Sequence, residues 1–324
     1  MEDKEFDTHV MKADEFGRMP RLRLDDLQIR DDSIPVKLSM MIAFSSWRRE
    51  QLARTLETIA RQTFREFEVL ICDMDSGQDM ESVYELFRPY IRLKTTRLPR
   101  TGWSSCPSKG FKAMLPMAEG DVIGIMQPEM MLHPDAFYYL YWGNYKEDLP
   151  HDLRFTHIPN ENVVMRPEQL TSTNGGGSET FVNLRNFFIS PEGTHNLDGV
   201  DWHSNLDNIQ NMYEFWTHTW GLSGLTNREH WDREAHRKWI WWFIGSAKRT
   251  ATLWDDMPAF DGHASIDFFL IGYKQIVGYT EVIPQIPLAY HQEHTRASIA
   301  PERELWVQTP PELVKYLKTI GRIE

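Results

Sequence analysis

"LSMMIAFSSWRREQLARTLETIARQTFREFEVLICDMDSG", residues 38–77, decides the fold class. With the two residues before it, 36–44 form an apolar run of strand length. Residues 47–62 follow, with Leu52, Leu56 and Ile59 at helical spacing and Ser45 or Ser46 able to cap the helix. Residues 67–77 are a second strand ending in the acidic turn "DMDSG". Strand, helix, strand in this compass is a βαβ unit, and a parallel sheet follows from it.

The same alternation continues outward. A short helix is expected near 80–88, a strand in "IRLKTTRL" (91–98), a helix over 107–118 and a buried strand at 122–126. Together these predict a mostly parallel, doubly wound sheet with helices on both faces. The fourth strand stops at Gln127-Pro128-Glu129, with Met130 and Met131 directly behind, so a core strand ends by presenting a proline-fixed carboxylate. Ligands of such sheets bind beyond the carboxyl ends of the strands. The informative positions are therefore 44–47, Asp73 to Ser76, Arg97 to Gly102 and Gln127 to Glu129. Asp73, Asp75, Arg97 and Glu129 would bring acids and one cation into one cleft able to hold a divalent metal. No GxxxxGK[ST] or GxGxxG occurs, so phosphates would be neutralised by metal rather than by a glycine-rich loop.

Beyond this half, "TSTNGGGSET" (171–180) reads as a connector or a lid over a donor. Helices are expected at 202–216, around the aromatic "HRKWIWWFIGSAKR" (236–249), at 264–275 and in "PPELVKYLKTI" (310–320). The resulting division is a lead-in over 1–33, a first half over 34–170, a second half over 171–298 and a C-terminal helix over 299–324. Trp231, Trp239, Trp241 and Trp242 form either an aromatic core or a stacking platform.

The formal net charge of −12 repels nucleic-acid backbones and weighs against a general nucleic-acid binder. Two cysteines, Cys72 and Cys106, are too few for a disulfide framework or a zinc site. The charged start has no apolar leader core, and no run of 18 apolar residues occurs, so a cytoplasmic protein with no membrane span is expected.

Residues 38–77, with Gln62-Thr63 and Asp73, resemble the opening of GT-A glycosyltransferases, family 2 in particular. The resemblance runs through "AEGDVIGIMQPEMMLHPDAF", where the family carries its Asp-x-Asp metal motif. Here Gln127 and Glu129 stand at its two ends, leaving one carboxylate of two. The resemblance covers 36–142 well and 239–296 more loosely. It implies a Rossmann-like GT-A fold with a helical, aromatic-rich acceptor side, a nucleotide-sugar donor and Mn²⁺ or Mg²⁺ as cofactor. By the same resemblance Glu129 and His291, in preference to His294, would hold the metal. Asp73 would bind the nucleotide base, with Ala43, Phe44 and Ser45 along base and ribose and Gln127 beside the donor. Arg97 and Lys109 could reach phosphates, although Ser108-Lys109 replaces the Arg-Asn pair frequent in relatives. Residues 241–274 resemble the later block in which an aromatic, glycine-rich strand-turn precedes the base, making Asp267 the catalytic candidate and Asp261 a weaker one. The activity implied is transfer of a sugar, from a UDP-sugar, to an acceptor hydroxyl with inversion. The acceptor is left open among a glycan, a small molecule and a modified base of nucleic acid. The competing readings are a noncatalytic nucleotide-sugar or glycan binder and a transferase acting on hydroxymethylated DNA bases.

Overall fold

The structure, a computed structural model, describes residues 26–44, 49–99, 107–145, 154–157, 160–162, 231–232, 244–259, 269–270, 273–274, 276–284, 289–291 and 310–324. The first half follows the predicted alternation: β1 (Leu38–Phe44), α1 (Arg49–Ala60), β2 (Phe67–Asp73), α2 (Glu81–Phe87), β3 (Leu93–Arg97), α3 (Ser108–Met114) and β4 (Val122–Met126). A short β5 (Met130–Leu132), α4 (Ala136–Trp142), β6 (Arg154–His157) and β7 (Asn160–Asn162) come next. The remaining described elements are β8 (Trp231–Asp232), β9 (Ile244–Lys248), α5 (Thr252–Asp256), β10 (Thr280–Pro284), β11 (Ala289–His291) and α6 (Pro310–Thr319).

The main sheet has eight strands in the order β3-β2-β1-β4-β9-β6-β10-β8. The ladders β1–β2, β2–β3, β1–β4 and β6–β10 are parallel, and only β9 and β8 run against the rest, so six strands share one direction. The chain lays β2 and β3 on one side of β1 and then returns to lay β4 on the other. That reversal is the topological switch point where such sheets open a crevice at their carboxyl ends. A second sheet, β5-β11-β7, stands beyond it. The mostly parallel, doubly wound sheet with helices on both faces is the GT-A-like architecture expected from the sequence.

Period-2 alternation divides the core. Leu38, Met40, Ile42 and Phe44 of β1, with Phe67, Val69 and Ile71 of β2, pack beneath α1, α2 and α4. Met41, Ala43, Leu70 and Cys72 face the other way, against Phe111 and Met114 of α3 and, from far along the chain, Leu253, Phe269, Tyr273, Leu313 and Leu317. Gly120 is needed at the turn into β4, since a Cβ there would lie 2.7 Å from the Ser39 nitrogen and 2.8 Å from the Lys37 carbonyl oxygen.

One expectation is corrected. Part of the segment 236–249, read as an aromatic helix, is instead strand β9 over its last residues, antiparallel to both β4 and β6. Buried pairing on both edges overrides local propensity. Gly245 fits for a steric reason, because a Cβ there would stand 2.2 Å from the Phe155 ring. The strand-turn implied by the family resemblance is the reading that holds. The helix expected over 264–275 is present in its described residues, 269–270 and 273–274. The helix expected at 202–216 and the loop 171–180 lie outside the described residues, as do Trp239, Trp241 and Trp242. Among the described residues no helix is long and apolar enough to cross a membrane.

Candidate active site at the switch point

Strand register assembles the site. Phe44 lies opposite Asp73, Asp73 opposite Arg97, and Ile42 opposite Met126, so the last residues of four parallel strands stand side by side. Asp73 and Gln127 flank β1, which sets them roughly 10 Å apart at ordinary strand spacing. Ala43 forms the floor beside α3, approached so closely that a Cβ on Gly110 would be 2.6 Å from that of Ala43.

Asp73 is buried, with 7% of its surface exposed. One carboxylate oxygen accepts from the Ser76 N–H at 2.7 Å and the other from the Ser76 hydroxyl at 3.1 Å. This is the turn role open to Asp in "DMDSG", and each oxygen keeps a second lone pair for a ligand. Asp75 takes the left-handed conformation, φ 61°, in the same turn. Its carboxylate accepts from the Arg97 guanidinium at 2.7 Å. Arg97 thus sits on the β3 side of Asp73, with β2 and β1 between it and Gln127 at the end of β4, engaged with an acid rather than standing as an unopposed cation.

Tyr84 of α2 lies under this end of the site and was not among the candidates from sequence. Burial, then the negative charge of Asp73, pushes its phenol up. Its hydroxyl is buried without a hydrogen-bond partner among the described residues. The signal for it was the helical face Val83, Tyr84, Phe87 in "ESVYELF". Cys72, beside Asp73, is buried and its thiol is pushed up to about 12, chiefly by burial.

Gln127-Pro128-Glu129 connects the two sheets. Pro128 has no N–H to offer a ladder, so β4 ends and the chain turns into β5. Glu129 is left at the junction with 5% of its surface exposed. The Gln127 side-chain oxygen is buried and has no hydrogen-bond partner among the described residues. A buried amide oxygen in that state is costly unless something else uses it.

His291 comes from the far end of the chain to the same junction. In the antiparallel pairing of β11 with β5 its Cα lies opposite that of Met130, the residue after Glu129. Paired Cα atoms are about 4.5–5.5 Å apart, so the backbones of Glu129 and His291 are near neighbours. The side-chain donors described at the junction are the Glu129 carboxylate and the Gln127 amide oxygen, oxygen donors of the kind a hard divalent cation such as Mn²⁺ or Mg²⁺ takes. Among the described residues no three His, Cys, Asp or Glu side chains converge as a metal cluster.

A helix face braces this junction from behind. Thr55 and Thr58 on α1 and Gln62 just past its end, all buried, bond to Pro128, Leu132, His133 and Phe137. Gln62 thereby supplies the cap that α4 lacks from its own residues: its side-chain oxygen accepts from the Phe137 N–H at 2.9 Å. His133 is enclosed with it, and burial lowers its pKa to about 4, so it is neutral near pH 7. Its Nδ1 accepts from the Asp135 N–H at 3.1 Å.

Ser45, Asp261, Asp267 and His294 lie outside the described residues. Lys109 is described, in the first turn of α3 beside β1 and β2, rather than at the Gln127 side of the crevice.

No family model matches the chain, and no curated protein matches it. Solved structures do. TarS of S. aureus in complex with UDP-GlcNAc is similar over 88% of this chain and 65% of that one, with 15% identity and a TM-score of 0.49. TarS in complex with UDP is similar over 88% and 64%, with 14% identity and a TM-score of 0.44. The mannosyltransferase PcManGT from Pyrobaculum calidifontis, in complex with GDP-Man and Mn²⁺, is similar over 83% and 60%, with 13% identity and a TM-score of 0.45. The chain spans a little under two thirds of the length of these solved chains, the TarS ones being its residues 1–349, and 39% of a longer TarS chain.

Proposed function

We propose that this protein is a metal-dependent glycosyltransferase that moves a sugar from a nucleotide-diphosphate donor, a UDP-sugar, to an acceptor hydroxyl with inversion. The observation that carries this reading is the β5–β11 register, which brings the backbone of His291 to the Glu129 junction at the switch point of the sheet. Residues 129 and 291 are 162 positions apart in sequence, 291 minus 129, and the β5–β11 pairing brings their backbones together where a parallel sheet opens its ligand crevice.

In this reading Asp73 accepts a hydrogen bond from the nucleotide base, Ala43, Phe44 and Ser45 line base and ribose, and Arg97 adds positive charge at the base end. Gln127 directs its side-chain oxygen to the donor, and Glu129 and His291 hold Mn²⁺ or Mg²⁺. The metal, when bound, offsets negative charge on the departing diphosphate. Asp267 takes the proton of the acceptor hydroxyl as that oxygen forms its bond to the anomeric carbon from the face opposite the diphosphate. The bond from that carbon to the phosphate oxygen breaks, and the nucleotide diphosphate leaves.

The test is release of nucleotide diphosphate from a donor panel that includes UDP-GlcNAc and GDP-mannose, with and without Mn²⁺. Glu129→Ala and Asp267→Asn are each expected to lower the rate at least about a hundredfold while circular dichroism stays native. Full activity in both variants rejects the residue assignment. Wild-type binding of UDP without turnover of any donor supports instead a noncatalytic binder, the reading favoured by Gln127 standing where the family has a second acid. Retention on hydroxymethylated DNA at low salt would support the base-modifying reading, against which the net charge of −12 stands.

A further inference from the structure

We infer that Thr55 is a positioning residue for the metal-binding segment, working with Thr58 and Gln62 as a polar rail along α1 and the turn after it that fixes where Glu129 presents its carboxylate. The inference rests on the glycosyltransferase reading of the Gln127–Glu129 junction.

Hydroxyls buried in a helix usually bond back to the carbonyl one turn earlier. Thr55 does otherwise: its side chain, wholly buried, donates across to the Pro128 carbonyl oxygen at 2.7 Å. Pro128 has no N–H, so the carbonyl is the one main-chain group through which that residue can be held. The residues on either side of it are Gln127 and Glu129, the two ends of the candidate motif.

Thr58 extends the grip. Its hydroxyl donates to the Thr55 carbonyl at 2.8 Å and accepts from the Leu132 N–H at 3.0 Å. Gln62 then donates to the His133 carbonyl at 2.9 Å and accepts from the Phe137 N–H. Thr55 and Thr58 lie on one face of α1, and Gln62, just past its end, donates back to the Thr58 carbonyl at 3.0 Å, so the helix and the turn after it hold the loop between the two sheets at successive points. Bonds linked in sequence, as through Thr58, polarise one another in a low-dielectric interior. A loop held in this way keeps its acid aimed in the absence of metal, and partners one step behind a ligand are worth about 10- to 100-fold in metal affinity.

A purely architectural role makes a different prediction, and Thr63 supplies the control. It follows Gln62 in the turn after α1 and bonds to Pro134 and Asp135, past the motif. Free Mn²⁺ is measured by its electron paramagnetic resonance signal as protein is titrated in with UDP present, a readout independent of turnover. Thr55→Val, which keeps the shape and loses the hydroxyl, is expected to weaken Mn²⁺ binding about tenfold or more. Thr55→Ser should stay within about twofold of wild type. Thr63→Val should lower the melting temperature and leave Mn²⁺ affinity unchanged. If Thr55→Val does not fold, Thr58→Val takes its place, with an expected weakening of about threefold or more. Unchanged Mn²⁺ affinity in a folded Thr55→Val, while Glu129→Ala abolishes binding, overturns the positioning role and leaves the functional reading standing. A wild-type chain that binds no Mn²⁺ overturns both.

Discussion

The two faces of the main sheet are built from different distances along the chain. The face covered by α1, α2 and α4 takes its buried partners from residues 38–145, apart from three side chains, Leu27, Ile244 of β9 and Ala289 of β11. The opposite face has only α3 from that region and is completed by 251–279 and by α6. The Gln127–Glu129 junction, braced by Thr55 and Thr58 of α1, belongs to the first face. The first face is thus closed mostly by nearby chain and the second by long-range docking.

Truncating the core tests that contrast most strongly. Phe137, fully buried on the inner side of α4, packs edge-on to Phe67 with ring centroids 4.9 Å apart. Phe137→Ala is expected to cost about 3–5 kcal/mol and to shift the urea midpoint of the whole domain. Leu317→Ala, on α6, should instead raise hydrogen exchange over 310–319 first, with β1 and β2 still protected. Equal global shifts in both variants would make the faces one cooperative unit.

A pH series sharpens the same point on the first face. Buried His133 has its pKa lowered from 6.5 to about 4, so the unfolded chain binds a proton over a range in which the folded chain does not. Stability is therefore fully present above pH 6.5 and declines as pH falls toward 4. Between pH 7 and pH 5 the loss should be about 2 kcal/mol from this group. Comparing wild type with His133→Asn by denaturant titration isolates it from Glu57, whose carboxyl burial shifts in the raising direction. No difference between the two pH slopes would mean that His133 is solvated.

The smallest expected effect concerns the latch of the second face. Arg322 bonds to both oxygens of Asp256 at 2.5 and 2.8 Å, and Asp256 also accepts from the Tyr273 hydroxyl at 2.5 Å. Tyr316 adds a bond to the Asp256 carbonyl at 2.7 Å. The Arg322 side chain is 36% exposed, which moderates its worth. Arg322→Met should cost about 1–2 kcal/mol and increase exchange of α6 without moving the first face.

Much of the first face was legible because its signals are local. Leu52, Leu56 and Ile59 announce α1 by spacing, and the apolar runs 38–44 and 122–126 announce buried strands whose order then follows from connection rules. The polar rail was legible only in part: Gln62-Thr63 stood out through the family resemblance, whereas Thr55 and Thr58 looked like ordinary helix residues. Their meaning lies in the backbone of residues 128–132, which spacing within a helix does not reveal. Tyr84 escaped notice because helical spacing marks it only as a core residue, while its relation to Asp73 is set by how the turn between β2 and α2 folds back.

The sequence by itself determined the βαβ alternation, the parallel direction of the first four strands and the acids at their ends, because period and turn chemistry are properties of neighbouring residues. Only the tertiary structure decided that 244–248 is a strand, that Ser76 and Arg97 engage the acids of the "DMDSG" turn, and that β11 pairs with β5. Each of those outcomes depends on a hydrogen-bonding or packing partner that the local chain does not contain, and such a partner is chosen by the whole fold.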